Sequence, residues 1–120
     1  MSNDYETRAA QYGFATQDQV LAAMSDEKTI LLDVRTQEEI AGSGKVKAQN
    51  WAMTKCTPST CPALEKDPSD IVGDDKDVTI VVYCRSGRRA SQAKSVLQEK
   101  GYAHVLNAGG LKDLTYLEKE

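Results

Sequence analysis

Residues 78–101, VTIVVYCRSGRRASQAKSVLQEKG, decide the fold. Val78 to Tyr83 is an unbroken run of apolar and β-branched side chains, the pattern of a strand covered on both faces rather than one. CRSG breaks it. Arg89 to Lys100 then places Ala90, Ala93, Val96 and Leu97 on one helical face, and Gly101 suits the end of that helix. Strand, short loop and helix in succession are the unit of parallel sheets.

Upstream, residues 29–34 form a second short apolar run that reads as a buried strand. Thr36 and Glu39 follow with capping-box spacing, predicting a helix over 37–41 that Gly42 can end. The same spacing at Thr16 and Gln19 predicts a helix over 17–24, leaving residues 1–15 as a loosely packed arm. Between residues 43 and 77 glycines, prolines and an acidic turn dissolve the pattern; a strand over 46–51 and a helical turn over 63–66 are the elements expected there. A final strand over 103–106, a turn at Gly109 and Gly110 and a closing helix over 111–118 complete the reading. The class is α/β: a central, mainly parallel sheet with helices on both faces, in a single domain over 1–120.

Composition sets limits on function. The 120 residues are 40% hydrophobic and 28% charged, ordinary globular values, and a net charge of -3 gives no bulk electrostatic reason to bind nucleic acid. No apolar stretch approaches the roughly 20 residues of a membrane span. The polar N-terminus lacks signal-peptide character, and three cysteines, an odd number, read as thiols of a reducing compartment; the cytoplasm is the expected location.

Chemistry gathers where the strand ends. Cys84 occupies the carboxyl end of a predicted central strand, where ligand crevices of open α/β sheets form, so its thiol is expected to face solvent. Gly87 permits a positive φ that lets successive loop N–H groups converge as an anion nest, and the following helix adds its positive end. Arg85, Arg88 and Arg89 fall within the same six residues of an acidic chain, and their charge favours a thiolate at Cys84. Cations are out of place at a helix N-terminus unless an anion joins them. Such a thiolate could attack the outer sulfur of a thiosulfonate or persulfide, or the centre of a tetrahedral oxyanion.

LLDVRTQEE at 31–39, followed by VVYCRSGRRASQAKSVLQEKGYAHVLNAGGL at 81–111, resembles the rhodanese superfamily. The resemblance implies a rhodanese-like fold and a single-domain sulfurtransferase that moves sulfane sulfur from thiosulfate or a related anionic donor to cyanide, a thiol or a protein, through a persulfide on Cys84. It implies a substrate cradle from Arg85, Ser86, Gly87, Arg88 and Arg89, and a bracing role for Asp33 and Arg35. Loops of six residues, here Cys84 to Arg89, belong to the sulfurtransferases of that family. Related phosphatases and arsenate reductases carry an arginine one position later, where this chain has Ala90. KVKAQN at 45–50 departs from the family in lacking a histidine and a Pro-Gly turn.

No cofactor, metal, nucleic acid or membrane is expected as a partner, and the chain is expected to act as a monomer. Cys56 and Cys61 read as loop thiols, with a resolving pair or, with His104, a partial zinc site as the other readings. The competing functions are a non-catalytic binding or redox-sensing module and an arsenate reductase or phosphatase built on the same thiolate.

Overall fold

A computed structural model describes residues 4–54, 56 and 61–119. The elements run α1 (Asp4–Tyr12), α2 (Gln17–Met24), β1 (Ile30–Asp33), α3 (Gln37–Ser43), β2 (Trp51–Met53), α4 (Pro62–Lys66), α5 (Ser69–Val72), β3 (Thr79–Cys84), α6 (Arg88–Glu99) and β4 (His104–Gly110), ending in a 3-10 turn at Leu111–Asp113. The four strands form one parallel sheet in the order β2-β1-β3-β4.

The central strand explains its own sequence. Ile80, Val82 and Cys84 pack in one core with Ala90, Ala93 and Leu97 of α6, whereas Val81 and Tyr83 face a second core with Val20 of α2, Leu31 and Leu114. Alternate residues thus point to opposite sides, and both sides are covered, so the run is apolar throughout. Both capping boxes form: Thr16 and Gln19 exchange hydrogen bonds at the start of α2, as do Thr36 and Glu39 at the start of α3. Helix α3 runs past Gly42 and ends at Gly44, whose φ of 76° closes it.

Four expectations are corrected. The strand placed at 46–51 is β2, shifted to Trp51–Met53; Val46 makes only an isolated antiparallel bridge to Lys119, because Tyr83 Oη accepts from both the Val46 N–H and Trp51 Nε1. Gly109 and Gly110 are not a turn but the last residues of β4, paired with Tyr83 and Cys84. The closing helix shrinks to a 3-10 turn, since the Asp113 carboxylate is drawn back to the Gly110 N–H and, after a second turn at 115–117, Glu118 and Lys119 lie along residues 46 and 47. Where a loosely packed arm was expected, residues 4–12 are helical. Arg8 in that helix is 9% exposed and hydrogen-bonded to the loop after β3.

Cys56 and Cys61, read as loop thiols, are joined in a disulfide, and both pack against the α6-side core. The six-residue loop they close includes 57–60, outside the described residues. Cys84 is the free cysteine.

Candidate active site

Cys84 ends β3 and α6 begins at Arg88, so the loop between them is Arg85, Ser86 and Gly87. Gly87 caps the helix with φ 97°, ψ −13°, a left-handed conformation that a side chain would strain. That turn brings the Gly87 N–H to 2.9 Å from Cys84 Sγ. The sulfur therefore accepts a backbone hydrogen bond at the positive end of a 12-residue helix.

Expected to face solvent, Cys84 is instead fully buried. The reason is its neighbour strand: β4 passes so close under the loop that a Cβ on Gly110 would lie 2.2 Å from the Arg85 carbonyl oxygen. Glycine is thus required at 110 for the close approach of two backbones, and at 109 for a φ of 99°. Around the loop the surface is concave. One cleft of about 600 Å³ is lined by Arg35, Arg85, Lys112 and Lys119 among others, and an adjoining one of about 540 Å³ by Arg85, Ser86, Arg88, Arg89 and Lys112. Both carry a cationic rim on an acidic chain.

The three loop arginines divide. Arg85 and Arg88 are exposed on the cleft walls. Arg89 turns inward and binds both carboxylate oxygens of Glu39, at 2.8 and 2.9 Å. Arg89 pulls the Glu39 pKa down to about 2, against the opposing effect of burial, with the Thr36 N–H helping. Burial in turn works against the charge of Arg89, but Glu39 outweighs it and, with a smaller contribution from Cys84, raises the guanidinium pKa.

Asp33 and Arg35 form a second, deeper pair. Arg35 Nε and Nη2 donate to the two Asp33 oxygens at 2.8 and 2.6 Å, and Nη2 also donates to the Gly44 carbonyl. Tyr83 Oη donates to Asp33 at 2.8 Å. Burial first, and then the Asp33 charge, push the Tyr83 phenol pKa up. Desolvation opposes the Arg35 charge, yet Asp33 overcomes it and raises the pKa. The pair joins β1, β3 and the segment after α3, with Arg35 at the wall of the larger cleft.

Two side chains at the loop went unread in the sequence. Asn107, fully buried in β4, donates to the Gly87 carbonyl at 3.1 Å and accepts from the Gly109 N–H. Arg8 donates to the Ser86 carbonyl at 2.7 Å and grips Asp113 with both terminal nitrogens, at 2.7 and 2.9 Å. Asn107 sits directly before the quoted Ala-Gly-Gly, a signal that could have been followed; Arg8 carried no local signal. His104 starts β4, beside Thr79 and at the opposite end of the sheet from Cys84, so it takes no part.

A family model for the rhodanese-like domain matches residues 16–115. Over 40 residues, a third of this chain, the sequence is 60% identical to thiosulfate sulfurtransferase PspE of Escherichia coli; the match spans 38% of that protein's length. A sulfurtransferase of Allochromatium vinosum is 36% identical over 84 residues, 70% of this chain and 68% of its own. The structure of a rhodanese with anions from E. coli superposes with a TM-score of 0.56 at 32% identity, covering 72% of this chain and 92% of that one.

Proposed function

Because the chain belongs to the rhodanese-like domain family, we propose that it is a sulfurtransferase whose nucleophile is Cys84 and whose preferred donor is thiosulfate or a related sulfane-sulfur anion. The observation that carries this reading is the Gly87 N–H held 2.9 Å from Cys84 Sγ at the start of α6, beneath a cationic cleft. A backbone donor aimed at Sγ orients the sulfur for attack and stabilises the charge that returns to it when Cys84 is the leaving group of the second displacement.

The reaction has two displacements. The Cys84 thiolate attacks the outer sulfur of thiosulfate; a new S–S bond forms, the old one breaks, and sulfite leaves with the electron pair. A cyanide ion, a thiolate or a thiol of an acceptor protein then attacks the outer sulfur of the persulfide, and the Cys84 thiolate departs. In this reading Arg85 and Arg88 draw the sulfonate into the cleft, and the backbone of Ser86 and Gly87 lines its path. Arg89, Asp33 and Arg35 brace the loop. Reduction of arsenate or phosphate-ester hydrolysis would need an arginine folded over the bound oxyanion, and Arg89 is instead committed to Glu39. We infer that the chain acts as a monomer in the cytoplasm.

The test is an intact-mass measurement after incubating reduced protein with thiosulfate. The expected gain is one sulfur atom, absent in Cys84→Ala. No adduct with thiosulfate or with persulfide donors would exclude sulfur transfer and favour a binding or redox-sensing role.

A further inference from the structure

We propose that helix α1 belongs to the active-site machinery, with Arg8 as a positioning residue: held by Asp113, it fixes the Ser86–Gly87 peptide so that its N–H points at the sulfur of Cys84. A trans peptide carries its C=O and N–H on opposite sides of one rigid plane, and the described residues include no cis peptide. The Ser86 carbonyl and the Gly87 N–H are the two ends of one such plane. Arg8 Nη1 holds the carbonyl end at 2.7 Å, and Cys84 Sγ accepts from the other end at 2.9 Å. Gripping the oxygen from outside therefore sets the direction of the N–H inside.

The grip itself is anchored. Asp113 takes both terminal nitrogens of Arg8 and also accepts from the Gly110 N–H at 3.0 Å, tying the guanidinium to the end of β4. The next peptide is handled alike, its Gly87 carbonyl held by Asn107. Phe14, following α1, closes the outer side: a Cβ on Gly87 would meet its ring at 2.2 Å, and the Arg8 guanidinium lies 5.6 Å from the ring centroid. The family match begins at residue 16, so α1 adds a brace outside the matched domain. Its effect on turnover rests on the sulfurtransferase reading; its effect on the loop does not.

The experiment joins two readouts. In protein labelled with 15N-glycine, Arg8→Ala is expected to shift the Gly87 amide upfield and speed its exchange with solvent, while Gly73 and Gly101, at the far side of the fold, stay in place. Persulfide formation at fixed pH should slow about tenfold, the scale of one hydrogen bond to a charged group. Arg8→Lys should recover part of both, and it carries the test should Arg8→Ala fail to fold.

Asp113→Asn separates positioning from through-space charge. Loss of a nearby anion by itself would make Cys84 react faster with iodoacetamide; loss of the grip on Arg8 makes it slower, and slower is the expected result. An unmoved Gly87 amide in the folded Arg8 variants, or faster alkylation of Asp113→Asn, overturns the proposal. Were the wild-type protein to take no sulfur from any donor, the function would fall while the amide readout still decided the brace.

Discussion

At the scale of single residues, the site depends on atoms that are missing as much as on those present. Gly110 has an ordinary φ of −97°, so nothing in its own backbone demands glycine. What demands it is the Arg85 carbonyl, 2.2 Å from where a Cβ would stand, with the Ser86 Cα at 3.0 Å. Backbone cannot swing aside as a side chain can, so Gly110→Ala must push the loop away from β4 at a cost of about 1–3 kcal/mol. It is expected to retain its fold and to lose at least about tenfold in the rate of persulfide formation, read by mass after timed exposure to thiosulfate; an unchanged rate would mean that the loop geometry is not rate-determining. Sequence singled out Cys84 readily, because the carboxyl end of a buried strand just ahead of a helix is where crevices of open α/β sheets form. It showed Gly110 poorly. A Gly-Gly pair marks turns and close approaches alike, and only the neighbouring chain tells which.

Between elements, the Glu39–Arg89 pair does what neither helix could do alone. Glu39 completes the capping box of α3 through the Thr36 N–H and, with the same carboxylate, holds Arg89 in the first turn of α6. The side chain that starts one helix thus fixes the start of the helix that follows Cys84. Its folded pKa of about 2 lies below the ordinary 4.5, so the folded state binds the proton less readily than the unfolded chain. The stabilisation is complete above about pH 4.5 and is lost as the pH falls toward about 2. Glu39→Gln keeps the cap and removes the charge. Urea midpoints should place it about 1–2 kcal/mol below wild type at neutral pH, with allowance for the partial exposure of Glu39. The gap should narrow at pH 3, and a gap independent of pH would refute the pairing. Elements with strong periodicity, β3 and α6 above all, were legible in the sequence, as were both capping boxes. Helix α1 was not: DYETRAAQY has few apolar residues to mark a buried face. Its purchase on the fold comes largely from one arginine, Arg8, whose partners Ser86 and Asp113 lie 78 and 105 positions away, beyond the reach of any local pattern.

For the molecule as a whole, the Cys56–Cys61 disulfide changes what the cysteine count means. Three cysteines suggested a reducing compartment; with two of them paired, the odd one is Cys84, the proposed nucleophile. Separated by five positions, the pair closes a small loop, for which chain entropy alone gives a stabilisation of roughly 2 kcal/mol. Cys61 is also packed in the core, and its carbonyl accepts from the Leu64 and Glu65 N–H groups that open α4, so the crosslink holds the one stretch of chain where periodicity failed. A reductant cannot test this cleanly, because it would also strip a persulfide from Cys84. The double variant Cys56→Ala, Cys61→Ala can. It should unfold at lower urea, by roughly 2 kcal/mol in total stability, while still taking up sulfur on Cys84 at close to the wild-type rate; a lost adduct would instead make the pair part of the transfer chemistry. Trapping thiols in intact cells then reads the compartment. A reduced pair fits the cytoplasm, and an oxidised one places the protein where disulfides persist.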